Sequence, residues 1–244
     1  MRKQILLLLL GVMLFSFAPS DFLKEQLKFP RVRQANAQKG DIVKAMLNGK
    51  GVDANDFNLF IRGIKDEEKL EVWAKSSSES TYKMIKTYDF CATTGKLGPK
   101  RRSGDKQIPE GFYTIDKFNP YSNHFLSFRV SYPNKSDLKY ADKLNPGNNI
   151  FVHGNCITIG CIPIGNDNIK ELYLMAAMAG GVDHVAIHLF PTRLNDAGLA
   201  KISKGADASL ITFWKNLKPG FEAFESSKSL PKISVDEDGR YVIG

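Results

Sequence analysis

Apolar residues recur at two different spacings along the chain, and the change between them separates the predicted elements. Between residues 21 and 50 they lie three or four positions apart, which is typical of amphipathic helices, and Pro30 divides this stretch in two. Further on, Leu70, Val72 and Ala74 alternate with polar residues, as expected of a half-buried strand. The pattern predicts two N-terminal helices followed by a β-rich region.

The same two patterns continue to the C-terminus. Strands are predicted at residues 58–62, 69–74, 82–92, 111–116, 124–132, 149–153 and 184–191. Helices are predicted from Asn166 or Asp167 to about Met178, and from Asn195 to about Leu217 with a break near Gly205. A hairpin is predicted at residues 233–243. Together these elements predict an α+β fold, with a single β-rich domain and peripheral helices.

Three polar stretches are predicted to connect these elements. Residues 93–111, rich in Gly, Pro and charge, should form a long ordered loop. Residues 132–137 have the composition of a turn, and residues 139–147 that of a loop able to act as a lid. Long loops on a β scaffold often carry function, so the first is a candidate for a functional role, with an ordinary solvated loop as the alternative.

The N-terminus has the pattern of a secretory signal. Arg2 and Lys3 precede an apolar run from Ile5 to Ala18, shorter than the roughly 20 residues that span a bilayer. Cleavage near residue 20 or after Ala37 fits the composition, and we favour the earlier site. The predicted divisions are residues 1–20 as signal peptide, 21–50 as helical segment and 51–244 as the β-rich domain. The predicted location is the periplasm or cell envelope.

Net charge is consistent with an envelope partner. The formal charge of +8 falls to +6 after cleavage, because Arg2 and Lys3 are lost and no acid is removed. A basic exported protein suits a polyanionic wall polymer. No basic stretch interleaved with aromatic residues suggests a nucleic-acid partner, and no cofactor is predicted.

The segment from Asn149 to Pro163 carries the candidate chemistry. A β-branched strand ends at His153, a polar turn follows, and Gly160 precedes Cys161. A thiol and an imidazole so placed are the parts of nucleophilic catalysis, with amides around Gly160 as an oxyanion hole. The alternative is a buried, inert cysteine and a strand-end histidine satisfied by backbone. His188, inside a later strand, is a rival base, and His124 is predicted to be a surface turn residue.

These residues also carry a family resemblance. His153-Gly154 followed by Thr158-x-Gly160-Cys161 resembles the signature of the L,D-transpeptidase catalytic domain (YkuD) family. The longer HGNCITIGC, with LEVWAK from Leu70 and VAIHLFPTR ending at Arg193, is similar to its YafK-like branch. The resemblance covers nearly the whole chain after the first twenty residues. It implies an L,D-transpeptidase-like fold for the β-rich domain.

The resemblance also implies a reaction. Cys161 would attack a peptidoglycan stem peptide and form a thioester, with His153 moving the proton and the amides of Gly160 and Cys161 holding the oxyanion. An amine or water would then take the acyl group, giving transpeptidation, carboxypeptidase activity or release of a wall-linked protein. Thr158 and Gly154 are implied to lie in the substrate cleft.

Lys100 and Arg101 are candidates to hold a substrate carboxylate, because the resemblance places residues 93–111 along the cleft. The chain departs from the family pattern at one position that bears on substrate binding. Many family members have Arg or Asn two residues after the cysteine, where this chain has Pro163. Another residue, such as Arg101 or Lys100, is therefore expected to bind the substrate.

Three cysteines leave alternatives open. If Cys161 is the nucleophile, Cys91 and Cys156 either form a disulfide or remain as two buried thiols, and a Cys156–Cys161 bridge is disfavoured on so short a turn. A non-catalytic wall-binding module would be favoured by a disulfide at Cys161. A metal site using His153, Cys156 and Cys161 lacks an obvious fourth ligand, and no metal is predicted.

Overall fold

The computed structural model describes residues 21–244. Six α-helices and ten β-strands follow one another, with a short 3₁₀ turn at Lys65–Glu67 after β1. The helices are α1 Asp21–Gln26, α2 Pro30–Gly49, α3 Lys135–Tyr140, α4 Asn166–Met178, α5 Asp196–Ser203 and α6 Ala208–Ser227. The strands are β1 Phe57–Ile64, β2 Lys69–Ser76, β3 Lys83–Asp89, β4 Gly111–Asn119, β5 Ser127–Val130, β6 Phe151–His153, β7 Ile162–Pro163, β8 Ala186–Phe190, β9 Ile233–Val235 and β10 Tyr241–Ile243.

The first eight strands form one mixed sheet in the order β3-β2-β1-β8-β4-β5-β6-β7. β1 and β8 are parallel neighbours at its centre, and β6 and β7 are parallel at one edge. The segment that follows β3, the strand at the opposite edge, contacts β7. Its Cys91 amide donates to the Pro163 carbonyl at 3.0 Å. The sheet is therefore curled so that its two edges approach each other. The predicted α+β class is confirmed.

Helices cover both faces of the sheet. On one face α2 and α4 pack together, and α4 buries nearly every apolar side chain. On the other face α6 places Trp214, Phe221 and Phe224 against the aromatic residues of the central strands. Successive side chains of β1 point to opposite faces of the sheet. Leu59 and Ile61 pack in the core on the side of α2 and α4, whereas Phe60 and Ile64 pack on the side of α6.

The N-terminal helices are part of the main core. The two helices predicted on either side of Pro30 are observed, and Leu23, Val32 and Val43 are buried. The Tyr173 hydroxyl of α4 donates to the Gln26 side chain at 2.5 Å. The predicted signal peptide lies outside the described residues. Among residues 21–244, no helix combines the length and apolarity that crossing a bilayer requires.

Two predictions about local structure are wrong. Residues 135–140 form α3 rather than a turn and loop, because Asn134 and Asp137 make a reciprocal capping box that starts a helix. Helix α6 continues through Pro219 to Ser227 instead of ending near Leu217. Burial of Phe221 and Phe224 against the sheet outweighs the hydrogen bond that proline removes. In addition, β5 is shorter than the predicted strand at 124–132.

Candidate active site

The pairing of β6 with β7 brings Cys161 and His153 to one face of the sheet. Val152 pairs with Ile162 and His153 with Pro163 in parallel register. Extending this register by one residue sets Cys161 opposite Phe151, and backbone hydrogen bonding from Phe151 to the sulfur agrees with that position. Because alternate residues of a strand share a face, the side chains of Cys161 and His153 project to the same side.

Cys161 is the free thiol of the described chain and is half-buried. Its sulfur lies 3.7 Å from the Asn149 carbonyl oxygen. Burial raises the pKa of the Cys161 thiol, while the Phe151 amide and the charge of Lys100 act in the opposite direction. Burial is the largest of these effects, so the resting thiol is protonated near neutral pH.

His153 is buried and held in one orientation. Its Nδ1 is hydrogen-bonded to the Gly154 carbonyl, which assigns the proton to Nδ1 and leaves Nε2 as the basic nitrogen. Burial lowers the pKa of His153, and the nearby His124 lowers it further. The imidazole is therefore neutral at pH 7, the form in which a general base accepts a proton.

His124 lies in a turn, as predicted, but its ring packs against His153 instead of facing solvent. The two rings stack with centroids 4.4 Å apart and an interplanar angle of 28°. His124 is only partly exposed, and its Nδ1 is buried. No spacing in the sequence could have indicated this contact, because His124 reaches the site through the pairing of β5 with β6.

The turn before Cys161 is fixed by the Thr158 hydroxyl. Thr158 Oγ1 donates to the Cys161 carbonyl at 2.8 Å and accepts from the Gly160 amide at 3.1 Å. Gly160 has φ +131°, and a side chain there would lie 3.1 Å from the Gln107 carbonyl oxygen. Thr158 thus braces the turn, and the Gly160 amide predicted for the oxyanion hole already has a partner in the free protein.

Gly154 lies where neighbouring chain segments leave no room for a side chain. A Cβ at this position would lie 2.5 Å from Asn166 Oδ1 and 2.6 Å from the His124 carbonyl oxygen. The same Asn166 oxygen accepts a hydrogen bond from the Asn155 amide at 2.8 Å, which ties the start of α4 to the turn. The close approach of three chain segments at Gly154 explains glycine there.

Cys91 and Cys156 form a disulfide, which decides between the two predicted alternatives. The bond joins the segment that follows β3 to the turn between His153 and Cys161, so it links the two edges of the sheet. It closes 65 residues of chain, and a loop of that length corresponds to about 4 kcal/mol of stabilisation in the chain-entropy treatment. The pairing also leaves Cys161 without an intramolecular partner.

Lys100 and Arg101 point to opposite sides of the loop at residues 93–110. Lys100 is buried, and its Nζ donates to Asp105 at 2.6 Å and to the Arg102 carbonyl at 2.9 Å. Its Cε packs where Gly147 has no side chain. Lys100 therefore fixes the loop and places a positive charge near the thiol.

Arg101 lines a cavity of about 730 Å³ on the other side of this loop. Its guanidinium lies 5.5 Å from the Tyr140 ring and 5.2 Å from the Phe213 ring, and Nη1 donates to Asp137 at 3.3 Å. Arg240 also lines the cavity, as does Gln107, whose backbone approaches Gly160. The cavity thus borders the loop that packs against the turn before Cys161, with two guanidinium groups in its wall.

The competing interpretations of the site lose support. His188 is buried among Phe60, Phe112 and Phe190, and burial lowers its pKa to about 3. It is a core residue. Cys156 is consumed by the disulfide, so it is not available to a metal together with Cys161. A disulfide at Cys161 would have favoured a non-catalytic module, whereas Cys161 is a free thiol.

The fold and the site together define a class of α+β domain in which a curled sheet carries a free thiol and a neutral imidazole on one face, the two side chains that covalent acyl transfer uses. Comparison with known proteins narrows this class. The YkuD family, described as the L,D-transpeptidase catalytic domain, matches residues 61–188. The chain is also 32% identical over 189 residues to YafK of Escherichia coli (strain K12), whose description as an L,D-transpeptidase is itself provisional. That match covers 76% of this chain and 73% of YafK.

This chain belongs to the L,D-transpeptidase catalytic domain family. Solved structures resemble it more distantly. The helical cell shape determining protein Pgp2 from Campylobacter jejuni gives a TM-score of 0.46 at 16% identity, covering 75% of this chain and 74% of Pgp2. Bd1075 from Bdellovibrio bacteriovorus gives a TM-score of 0.41 at 18% identity, covering 74% and 77%. Family membership supports a transpeptidase-type function on peptidoglycan.

Proposed function

We propose that the protein is an exported cysteine enzyme of the L,D-transpeptidase type that acts on peptidoglycan stem peptides through a Cys161 thioester. The observation that supports this most strongly is the free Cys161 thiol on the same sheet face as His153, whose Nδ1 is anchored to the Gly154 carbonyl. That anchor leaves Nε2 of the neutral imidazole as the base.

In the first half-reaction the Cys161 sulfur attacks a stem-peptide carbonyl carbon while His153 Nε2 takes the thiol proton. Collapse of the tetrahedral intermediate breaks the C–N bond, and His153 returns the proton to the departing amine. The amides of Gly160 and Cys161 hold the oxyanion. Because the Gly160 amide donates to Thr158 Oγ1 in the free protein, it exchanges that partner when substrate binds.

In the second half-reaction an acceptor attacks the thioester, and the C–S bond breaks to restore the thiol. An amine acceptor yields a new amide, while water yields a carboxylate. Amine transfer is transpeptidation; hydrolysis is carboxypeptidase activity or release of a wall-linked protein. His153 deprotonates either acceptor, so the same pair of side chains performs all three reactions.

Mass spectrometry of the products tests this proposal. Purified protein is incubated with tetrapeptide muropeptides, with cross-linked muropeptides and with muropeptides bearing an attached protein-derived peptide. We expect at least one set to change in mass, by loss of a terminal residue, by gain of a cross-link or by release of the attached peptide. A thioester adduct on Cys161 should accumulate during turnover. Unchanged masses in every set would contradict the proposal.

Arg101 is the better placed of the two candidates for binding a substrate carboxylate, because its side chain lines the cavity whereas Lys100 is buried. In the Arg101→Gln variant we expect KM for carboxylate-bearing muropeptides to rise about tenfold with kcat little changed, because a charge-assisted hydrogen bond contributes about 1.5–3 kcal/mol. Muropeptides whose carboxylates are amidated should show a smaller difference. Equal KM values for wild type and variant would exclude the role, and Arg102→Gln on the same loop is the matched control.

Export is part of the proposal, with residues 1–20 as a cleaved signal. The buried positions of Leu23, Val32 and Ala35 support cleavage before Asp21, because cleavage after Ala37 would remove these side chains from the main core. Residues 21–50 are proposed as a helical segment that completes a catalytic domain at 51–244. The intact mass of protein recovered from the periplasm locates the mature N-terminus, and a mature chain that begins at Gln38 would contradict this assignment.

A further inference from the structure

The ring stacked on His153 belongs to a segment that is held from several directions. The His124 amide donates to Ser122 Oγ at 3.1 Å, and the Leu126 amide donates to the His124 carbonyl at 3.1 Å. From α2, Arg31 Nη1 donates to the Ser122 and Phe125 carbonyls at 2.5 and 2.9 Å. The backbone that carries His124 is therefore fixed by contacts that do not involve its ring.

The His124 ring itself is fixed by stacking rather than by a hydrogen bond. Its Nδ1 is buried and, within residues 21–244, has no hydrogen-bond partner. A buried polar atom without a partner costs about 1–3 kcal/mol. A phenylalanine would stack equally well without that cost, so stability alone does not account for an imidazole at position 124.

The neighbourhood of His153 makes the charge of a second imidazole important. His153 faces His124 from the β4–β5 segment and Cys161 from the turn before β7. Two further charged groups contact the His124 segment: Arg31 donates to the Phe125 carbonyl, and Lys170 of α4 has its Nζ 5.6 Å from the Phe125 ring. Of the surrounding groups, His124 is the one whose charge opposes a proton on His153.

We infer that His124 is a positioning residue for His153: it holds the plane of the base by stacking and opposes the imidazolium form. This contact favours the neutral form of His153, which is the form that accepts the Cys161 proton. The inference rests on the proposed function for its catalytic consequence. The physical coupling of the two rings does not depend on that function.

Two variants separate the stacking from the charge. His124→Phe keeps a flat ring and removes the titratable group, while His124→Ala removes both. Imidazole NMR titration gives the pKa of His153 directly, and the pH dependence of kcat/KM on muropeptides gives its catalytic effect. His184→Gln, an exposed histidine on the turn after α4, is the matched control.

We expect the pKa of His153 to rise in both His124 variants and to stay unchanged in His184→Gln. Since a raised pKa keeps His153 protonated to higher pH, the acid limb of the kcat/KM profile should move to higher pH in His124→Phe. In His124→Ala, kcat should also fall about tenfold or more at all pH values, because general acid–base catalysis contributes about 10²–10⁴-fold and requires an oriented base.

An unchanged His153 titration and an unchanged kcat/KM profile in His124→Phe would overturn the inference. The thermal melt of each variant shows whether the fold is retained, and His124→Phe is expected to melt no lower than wild type. If the His153 titration shifts as expected but wild type turns over no muropeptide, the proposed function fails and the coupling of the rings stands. The two failures are therefore distinguishable.

Discussion

Replacing Cys161 with alanine is expected to abolish muropeptide turnover, lowering kcat by about 10³-fold or more, the scale at which loss of a nucleophile affects covalent enzymes. The remaining site would still bind substrate, because the loop with Arg101 and the turn braced by Thr158 do not depend on the sulfur. Product formation by mass spectrometry measures kcat, and calorimetric titration of the inactive variant measures binding.

Cys161→Ser provides the sharper comparison, because it keeps the size of the side chain and changes the acidity of the nucleophile. His153 has a lowered pKa and Cys161 a raised one, so the resting pair is neutral and the nucleophile forms only during proton transfer. A serine hydroxyl is far less acidic than a thiol, and the serine variant should be nearly as inactive as alanine.

Alkylation provides an independent check on the same thiol. Iodoacetamide should label Cys161 alone in the oxidised protein, since Cys91 and Cys156 are joined. Wild-type turnover in Cys161→Ala, or alkylation at another cysteine with no loss of activity, would contradict the assignment of the nucleophile.

Local sequence patterns are sufficient to predict the strand and the helix that flank the site. The β-branched run before His153 predicts β6, and the Asn-opened amphipathic pattern predicts α4 with the bounds that are observed. Both depend on residues that are neighbours in the chain. The thiol and the imidazole lie eight residues apart within the same strand-turn unit, so their common location is also a local property.

Contacts made through tertiary pairing cannot be found in this way. His124 comes to the site only because β5 lies beside β6. The different surroundings of Lys100 and Arg101 depend on Asp105 and on the packing of Phe213 from α6. The continuation of α6 through Pro219 likewise depends on an aromatic core assembled from five separate strands, β1, β2, β4, β8 and β10. In each case the deciding partner is distant in the sequence.

Loss of the Glu110 carboxylate is expected to be the most destabilising single change outside the cysteines. Glu110 is fully buried and pairs with Lys65 at 2.8 Å. Its two oxygens also accept from the Gly98 amide at 2.6 Å and from Trp214 Nε1 at 2.9 Å. Removing one partner of a buried ion pair costs about 3–5 kcal/mol, because the other charge is left uncompensated.

The same pair links stability to the site. Lys65 Nζ donates to the Gly98 and Ile108 carbonyls at 2.8 and 2.9 Å, so it joins the two ends of the loop that carries Lys100 and Arg101. Glu110→Gln should therefore lower the melting temperature by roughly 10 °C or more for a domain of this size. It should also reduce muropeptide turnover at temperatures where the protein remains folded, since the loop would be less firmly held.

A second substitution tests whether the orphaned charge is the cause. Adding Lys65→Met to Glu110→Gln removes the unpaired ammonium and should recover part of the lost melting temperature, because apolar replacement of a buried pair is often neutral. Asp89→Ala, which breaks an exposed pair with Lys69, should leave the melting temperature unchanged. If the double variant melts lower than Glu110→Gln alone, the uncompensated ammonium is not the cause of the loss, and Lys65 stabilises the fold through its bonds to the Gly98 and Ile108 carbonyls.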